Sequence, residues 1–560
     1  MKIRLISLVL CVLMISFAIL VGCSSKDDEF DINPEETAPR TPVSLNFWII
    51  TDKKTTPDAQ TAVEKAFNDI VKSRFTTYVD LVFLTEDEYK TALANKMEEI
   101  DEQKKLEEEE AKRRREEERS KRAAGITDAK TSAPDTTEYV EETVTNAYGL
   151  PELKYPNLSD YQIDIILIKG IDMLNDLVKA NRLNPLDKYL TAESKQLTKY
   201  IHPIFMDMCK INKVTYAIPN NQVIGEYTYL LINKELADKY YYDPDSFSRL
   251  DDETTKKFIE EIAEKEKDYT PVLSRVDSPF IHYWSDDGSR SLLASYFSAT
   301  ASQGIRGIMR NPFAISQFTS HELQMQEYED KGYFSKNPET DDKFAVALMK
   351  GDASLPDAYS DDYYVKVVKK PVATEETVFE SMLGVTTYTK NLDRAMEIIT
   401  LLNTDPELRN LLQYGIKGTH YDIDETGALR RLNDHYMMNL VDTGNVFMAY
   451  PEEGMPLDAW EYGKKQNLDA IVSPLLGLGT VWEEVDKEIM EKIDALSEQY
   501  FARMDACTNA TELSEFFTTA VAELEENEDF KTAISMDSEI ASPHSVYFNK
   551  WYNVLWPPTD

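Results

Sequence analysis

The chain has 560 residues, a formal net charge of −39, a sequence pI near 4.6 and 42% hydrophobic residues, enough for two or more domains with sizeable cores. The acidic balance repels nucleic acid and anionic lipid headgroups and argues against both as ligands. Aromatic residues make up 11%, with 31 tyrosines, whose flat rings and edge hydroxyls suit a wet binding cleft.

Lys2 and Arg4 precede an apolar run from Leu5 to Val21, which reads as an export leader. The length of the run leaves an uncleaved anchor open as a second reading. Leu20-Val21-Gly22-Cys23 resembles the bacterial lipobox. That resemblance implies a signal peptide over residues 1–22 and a lipid on Cys23; the bland alternative is an incidental cysteine. Two acyl chains on one residue suffice for stable anchoring. Residues 23–42 are polar, contain Pro34, Pro39 and Pro42, and read as a flexible stalk. No second apolar run is long enough to span a bilayer.

"VSLNFWII" (Val43–Ile50) reads as a buried strand. Thr56 and Pro57 then mark a helix start, followed by a stripe of Val63, Ala66, Phe67, Ile70 and Val71. "YVDLVFL" (Tyr78–Leu84) is a second strand, and Thr85 with Glu88 spells a capping box before the next helix. "YQIDIILI" (Tyr161–Ile168) is a third strand, followed by helical "MLNDLVKANRL". This alternation predicts a mostly parallel sheet covered by helices.

Between the second helix and the third strand, residues 98–157 read as an insertion. "EEEEAKRRREEER" (Glu107–Arg119) lacks an apolar stripe but places acids four residues before bases, so it can stay helical in water. The return from it reads as disordered. The arm is either a solvated face or a contact for a partner. Further on, "YAIPNNQVIGEYTYLLINKELADKYYYD" holds a strand, a turn and a strand entering a helix. "ESMLGVTTYTK" leads into a helix carrying Ala395, Met396, Ile399 and Leu402. Asp405-Pro406 opens another helix and Gly415 closes it. The region after Val481 is helical and acidic.

The sequence shows no HExxH pair, no Cys-x-x-Cys, no G-x-S-x-G elbow and no phosphate loop. "DIDETG" (Asp422–Gly427) resembles the first half of a calcium loop, but Asn433 stands where the loop's closing glutamate belongs. It reads as a hairpin turn, so neither metal nor cofactor is expected and no catalytic residue is named. Cys209 and Cys507 are either a disulfide or two thiols, since spacing does not decide.

The lipobox, the stalk, "NFWII", the "YAIPNNQVIGEYTYLLINKEL" crossover and "TDPELRNLLQYGIKGTHYDIDETG" together resemble the extracellular solute-binding lipoproteins of ABC importers. The likeness is to the sugar-binding branch of Gram-positive type; "GNVFMAYPEE" and "DAWEYGKKQNLD" extend it over nearly the whole mature chain except the arm. It implies an α/β, two-lobe, type II binding-protein fold with a central cleft and a multi-strand hinge. The crossovers are expected near 220–229 and 384–388. Lobe 1 is expected over 43–222, lobe 2 over 223–385, a return to lobe 1 over 386–435, and a helical part mainly of lobe 2 over 436–560.

The resemblance implies capture of a sugar or oligosaccharide and delivery to the permease subunits of an importer. The protein would be a monomer, lipid-anchored on the outer face of the cytoplasmic membrane. By family position and residue type, Trp48, Tyr227, Tyr283, Trp284 and Tyr359 are candidate stacking surfaces, with Asp52 and Asp286 as hydroxyl acceptors. Each of these has packing as its plain alternative, and Tyr388 and Trp460 are read as hinge packing and core. Two other functions stay open: a ligand-sensing lipoprotein that uses the arm as its contact, and a surface glycan hydrolase.

Overall fold

A computed structural model describes residues 41–123, 143–145, 151–153, 155, 157–190, 197, 201, 203–283, 289–296, 310–341, 343–473, 476 and 487–536. The expected leader, Cys23 and the stalk up to residue 40 lie outside these, and the compact unit begins at Val43.

β1 (Val43–Ile50) is buried from Ser44 onward, as expected of a strand covered on both faces. α1 (Pro57–Phe75) starts where Thr56 Oγ1 accepts from the Ala59 N–H at 3.3 Å, and it buries Val63, Phe67 and Val71. β2 (Thr77–Leu84) runs parallel to β1 along its full length. α2 (Glu86–Ala123) is one helix of 38 residues. Its start buries Tyr89, Leu93, Met97 and Ile100, while Lys104–Glu117 is exposed on every face. The charged arm is therefore the distal part of α2, laced by pairs such as Glu110–Arg114 at 3.0 Å. Its return, read as disordered, carries a short antiparallel hairpin of Thr143–Thr145 with Pro151–Leu153.

β3 (Ile165–Ile168) is shorter than the expected strand. Before it, side chains replace the backbone ladder. The Asn46 N–H donates to Asp164 Oδ2 at 2.8 Å, the Asp164 N–H to Asn46 Oδ1 at 3.0 Å, and Gln162 Nε2 to the Ser44 carbonyl at 3.1 Å. α3 (Gly170–Lys179) and β4 (Ala217–Pro219) follow. The chain then builds β5 (Tyr227–Asn233), α4 (Lys234–Lys239), α5 (Glu253–Lys265), β6 (Thr270–Val272), β7 (Ile281–Tyr283), β8 (Ala294–Tyr296), α6 (Ser316–Asp330), β9 (Phe344–Gly351), α7 (Leu355–Tyr359) and β10 (Tyr363–Lys369). β11 (Val372–Ala373), α8 (Glu375–Val378) and β12 (Met382–Val385) precede α9 (Leu392–Thr404) and α10 (Pro406–Tyr414). Asp405 caps α10 through the Leu408 N–H at 3.0 Å, and Gly415 ends it at φ 76°.

β13 (Tyr421–Ile423) and β14 (Leu429–Arg431) form the expected hairpin at "DIDETG". There Asp424 Oδ1 accepts from the N–H groups of Thr426, Gly427 and Ala428, so backbone donors already surround it. α11 (Ala459–Asp469), β15 (Ile471–Val472), α12 (Lys487–Asp505), α13 (Ala510–Glu526) and α14 (Glu528–Met536) complete the described chain.

The first sheet has the order β2-β1-β3-β12-β4 and the second β10-β5-β9-β6. In the first, β1 is parallel to β2 and β3, but β12 runs against β3 and β4. β12 arrives from the other sheet, not through a crossover helix of its own, and so enters in the opposite direction. Its membership places the return to the first lobe before Met382, earlier than the expected 386. Tyr436 and Met438 also pack in the first core, so the part beginning at 436 still belongs there at its start.

The second sheet packs Leu230, Ile232, Ala345, Val346 and Leu348 against α4, α5 and α6. A third core joins α12–α14 to Ile281, Leu292–Ala294, Phe313 and Phe318. Cys209 and Cys507 are free thiols; Cys209 is buried in the first core, where desolvation pushes it up to about 12, and Cys507 packs against the third.

Candidate binding cleft and hinge

In open α/β sheets ligands bind outside the carboxyl ends of the strands. At the end of β1, the loop after Ile50 is pinned from the far side of the chain. The Asp52 N–H donates to the Met437 carbonyl at 3.0 Å, the Met437 N–H to Thr55 Oγ1 at 2.9 Å, and the Thr56 N–H to the His435 carbonyl at 2.8 Å. Asp52 itself is exposed, and its Oδ1 accepts from the Lys54 N–H at 2.8 Å. Three lysines at this edge are paired with acids: Lys53–Asp87 at 2.5 Å, Lys54–Asp434 at 3.4 Å and Lys169–Asp442 at 2.7 Å.

Beyond the two registered residue pairs of β1 and β3, the Tyr89 hydroxyl sits between the strands, 3.1 Å from the Trp48 carbonyl and 2.8 Å from the Leu167 N–H. Burial raises the Tyr89 phenol well above its ordinary value. Trp48 lies two positions before the end of β1 and is 9% exposed. Its indole Nε1 is buried without a hydrogen-bond partner among the described residues. A buried donor in that state is costly and calls for an explanation.

Two further candidates meet in the second lobe. Tyr227 and Tyr229 alternate on one face of β5, with ring centroids 5.4 Å apart. Tyr359 of α7 stands edge-on to Tyr363 of β10 at 6.1 Å, and Tyr363 stacks on Phe344 at 4.5 Å. The Tyr227 hydroxyl donates to Asp469 Oδ2 at 2.8 Å, and Tyr462 donates to Asp357 Oδ2 at 2.5 Å. Burial, then Asp469, raises the Tyr227 phenol; burial pushes Tyr229 up to about 12.

Sequence reasoning named Tyr227 and Tyr359 but missed Tyr229, Tyr363, Tyr462 and the two aspartates. The i, i+2 tyrosines in "YTYLL" were the available signal for Tyr229; the rest depend on strand pairing. Tyr283 is placed apart from both groups, in the third core, edge-on to Phe501 at 5.8 Å. Trp284 and Asp286 lie outside the described residues. Tyr388 is buried with its hydroxyl donating to Asp101 Oδ1 at 2.8 Å, and Trp460 packs beside Tyr414 and Tyr450.

Among the described residues the chain crosses from one sheet to the other twice, and a third connection leads from the first core to the second lobe. The first passage runs from β4 to β5, over 220–226. The second runs from β10 through β11 and α8 to β12, over 370–381, and not at the expected 384–388. Gly384 lies inside β12, where it pairs with Ile166 and Ala217. The third leads from the turn at Val446–Met448 through α11 to β15, which pairs with β11.

No family model matches the chain. A carbohydrate ABC transporter substrate-binding protein of Streptococcus pneumoniae serotype 4 is 25% identical over 325 residues, covering 54% of this chain. The chain spans 65% of that relative, slightly under two thirds of its length. The solved N-glycan transport solute-binding protein NgtS of Streptococcus pneumoniae matches 92% of this chain and 99% of its own, with 18% identity and a TM-score of 0.53. The chain thus has the two-lobe α/β fold of the solute-binding proteins, as the resemblance of its sequence implies.

Proposed function

We propose that this chain captures a carbohydrate, an oligosaccharide in particular, outside the cell and hands it to an ABC importer. The observation that carries the reading is a pair of sheets, each in its own lobe, with three chain connections between the lobes among the described residues. Lobes joined in this way can close on a ligand that touches both, and such a ligand favours the closed form. The ligand class follows the curated relative, whose name is that of a carbohydrate transporter's binding protein. In this reading Trp48 and Asp52 present the first lobe's contacts, Tyr227 and Tyr359 the second lobe's, and Trp284 and Asp286 extend the site, while Tyr283 packs in the third core. Cys23 carries the lipid that holds the chain at the outer face of the membrane, and the protein works as a monomer without catalysis. Among the described residues no helix is long and apolar enough to cross a membrane.

A ligand-sensing role is the second reading, favoured by the exposed stretch Lys104–Glu117 of α2. The test is thermal unfolding against a panel of oligosaccharides, with N-glycan fragments first. A ligand at a hundred times its dissociation constant adds about 2.7 kcal/mol. A shift with the compound recovered intact supports capture. Recovery of cleaved sugar points to the hydrolase, and no shift with any sugar refutes the cargo.

A further inference from the structure

The end of α11 and the residues just after it hold the other two passages. Asn467 binds the first passage as a neighbouring strand would: its Oδ1 accepts from the Ile224 N–H at 2.8 Å and its Nδ2 donates to the Gln222 carbonyl at 2.7 Å. Gln466, 1% exposed, donates from Nε2 to the Gly225 carbonyl and accepts at Oε1 from the Ala353 N–H at 3.2 Å. That second bond ties the same grip to the loop after β9, in the second lobe. Gly463 lets the helix come this close, since a Cβ there would stand 2.7 Å from Val223 Cγ2. Four residues past Asn467, the Ile471 N–H donates to the Pro371 carbonyl at 2.7 Å, and the Ser473 N–H to the Ala373 carbonyl at 2.8 Å, so the second passage is held as well.

α11 is fastened to the second lobe by Tyr227–Asp469 and Tyr462–Asp357. The first-lobe end of the first passage is fastened separately. Asn220 donates from its N–H to the Ser381 carbonyl at 2.9 Å and from Nδ2 to the Val441 carbonyl at 2.8 Å. The backbone between these two sets of anchors is short, and the angle between the lobes depends on it.

We propose that Gln466 and Asn467 form a latch that sets the resting angle between the lobes, and through it the apparent affinity for cargo, without touching the cargo. The link to affinity rests on the function proposed above; the link to the angle does not. When only a fraction of the protein is in the binding-competent form, the apparent dissociation constant scales inversely with that fraction. Asn467→Ala removes two hydrogen bonds, each contributing about 1 kcal/mol, so the interlobe equilibrium moves by up to roughly thirtyfold.

The test uses the full chain with its other accessible cysteines replaced by serine and spin labels on Lys65→Cys in α1 and Lys257→Cys in α5. The label-to-label distance distribution is measured without ligand. The expected result is a shifted or broadened distribution in Asn467→Ala. With an N-glycan fragment as probe, the dissociation constant should change by the same factor as the closed population. An unchanged distribution overturns the proposal even if the variant is less stable, because a purely structural residue would lower stability alone. Should Asn467→Ala not fold, Asn467→Asp, which keeps an acceptor for the Ile224 N–H, is judged by the same criterion. A shifted distribution with no binding of the probe supports the latch and counts against the cargo.

Discussion

Trp48→Phe separates a binding residue from a packing residue. In an ordinary core, replacing a buried tryptophan by alanine costs about 3–5 kcal/mol, and a smaller aromatic leaves a cavity worth about 1–2 kcal/mol. Trp48 is buried, yet its indole N–H is unpartnered among the described residues. Leaving such a donor unsatisfied costs about 1–3 kcal/mol, and phenylalanine removes that cost with the donor. The two effects oppose each other, so ligand-free Trp48→Phe should lie within about 1 kcal/mol of the parent in urea unfolding. If the indole N–H donates to a sugar hydroxyl, its loss should weaken binding by about ten- to hundredfold, read by calorimetry with an oligosaccharide that shifts the melting curve. Stability reduced as far as in Trp48→Ala, with unchanged affinity, would refute this reasoning and leave the indole as packing.

His282 in β7 predicts a loss of stability in mild acid. Burial first, and the charge of Lys369 second, lower its imidazole to about 4 from an ordinary value of 6.5, with Nε2 lying 3.3 Å from Ser473 Oγ. The folded value is below the unfolded one, so the stabilisation is present above pH 6.5 and is lost as the pH falls toward 4. At about 1.4 kcal/mol per pKa unit the loss is at most about 3.5 kcal/mol; His282→Gln should flatten that part of a stability–pH curve, and an unchanged slope would assign it elsewhere. Phe313 lies 5.2 Å from both Phe501 and Phe516 in the third core, so Phe313→Ala should cost about 3–5 kcal/mol in denaturant unfolding. A cost below about 1 kcal/mol would mean that the C-terminal helices do not fold with the second lobe.

Much of the first lobe was legible because its signals are local. A run of buried residues gives β1, Thr56 and Pro57 give the start of α1, and Asp405, Pro406 and Gly415 bound α10. The strand at Ile165–Ile168 was read too long because Asn46, Gln162 and Asp164 bond through side chains, which periodicity does not register. The second passage was misplaced for a different reason. "MLGV" reads as a strand, but which sheet it joins is set by pairing with β3, more than two hundred residues earlier in the chain. Tyr227 and Tyr359 likewise share a cluster only because β5 and β10 pair, and Tyr283 packs on Phe501 from a helix remote in sequence. Residue type picked out the aromatics; non-local pairing decided which of them meet.

The most direct test of the account is small-angle scattering of the chain with and without an oligosaccharide that raises its melting temperature. The account predicts a smaller radius of gyration on addition, reversed when the intact sugar is dialysed away. A radius unchanged at saturating sugar would contradict closure of the two lobes on cargo.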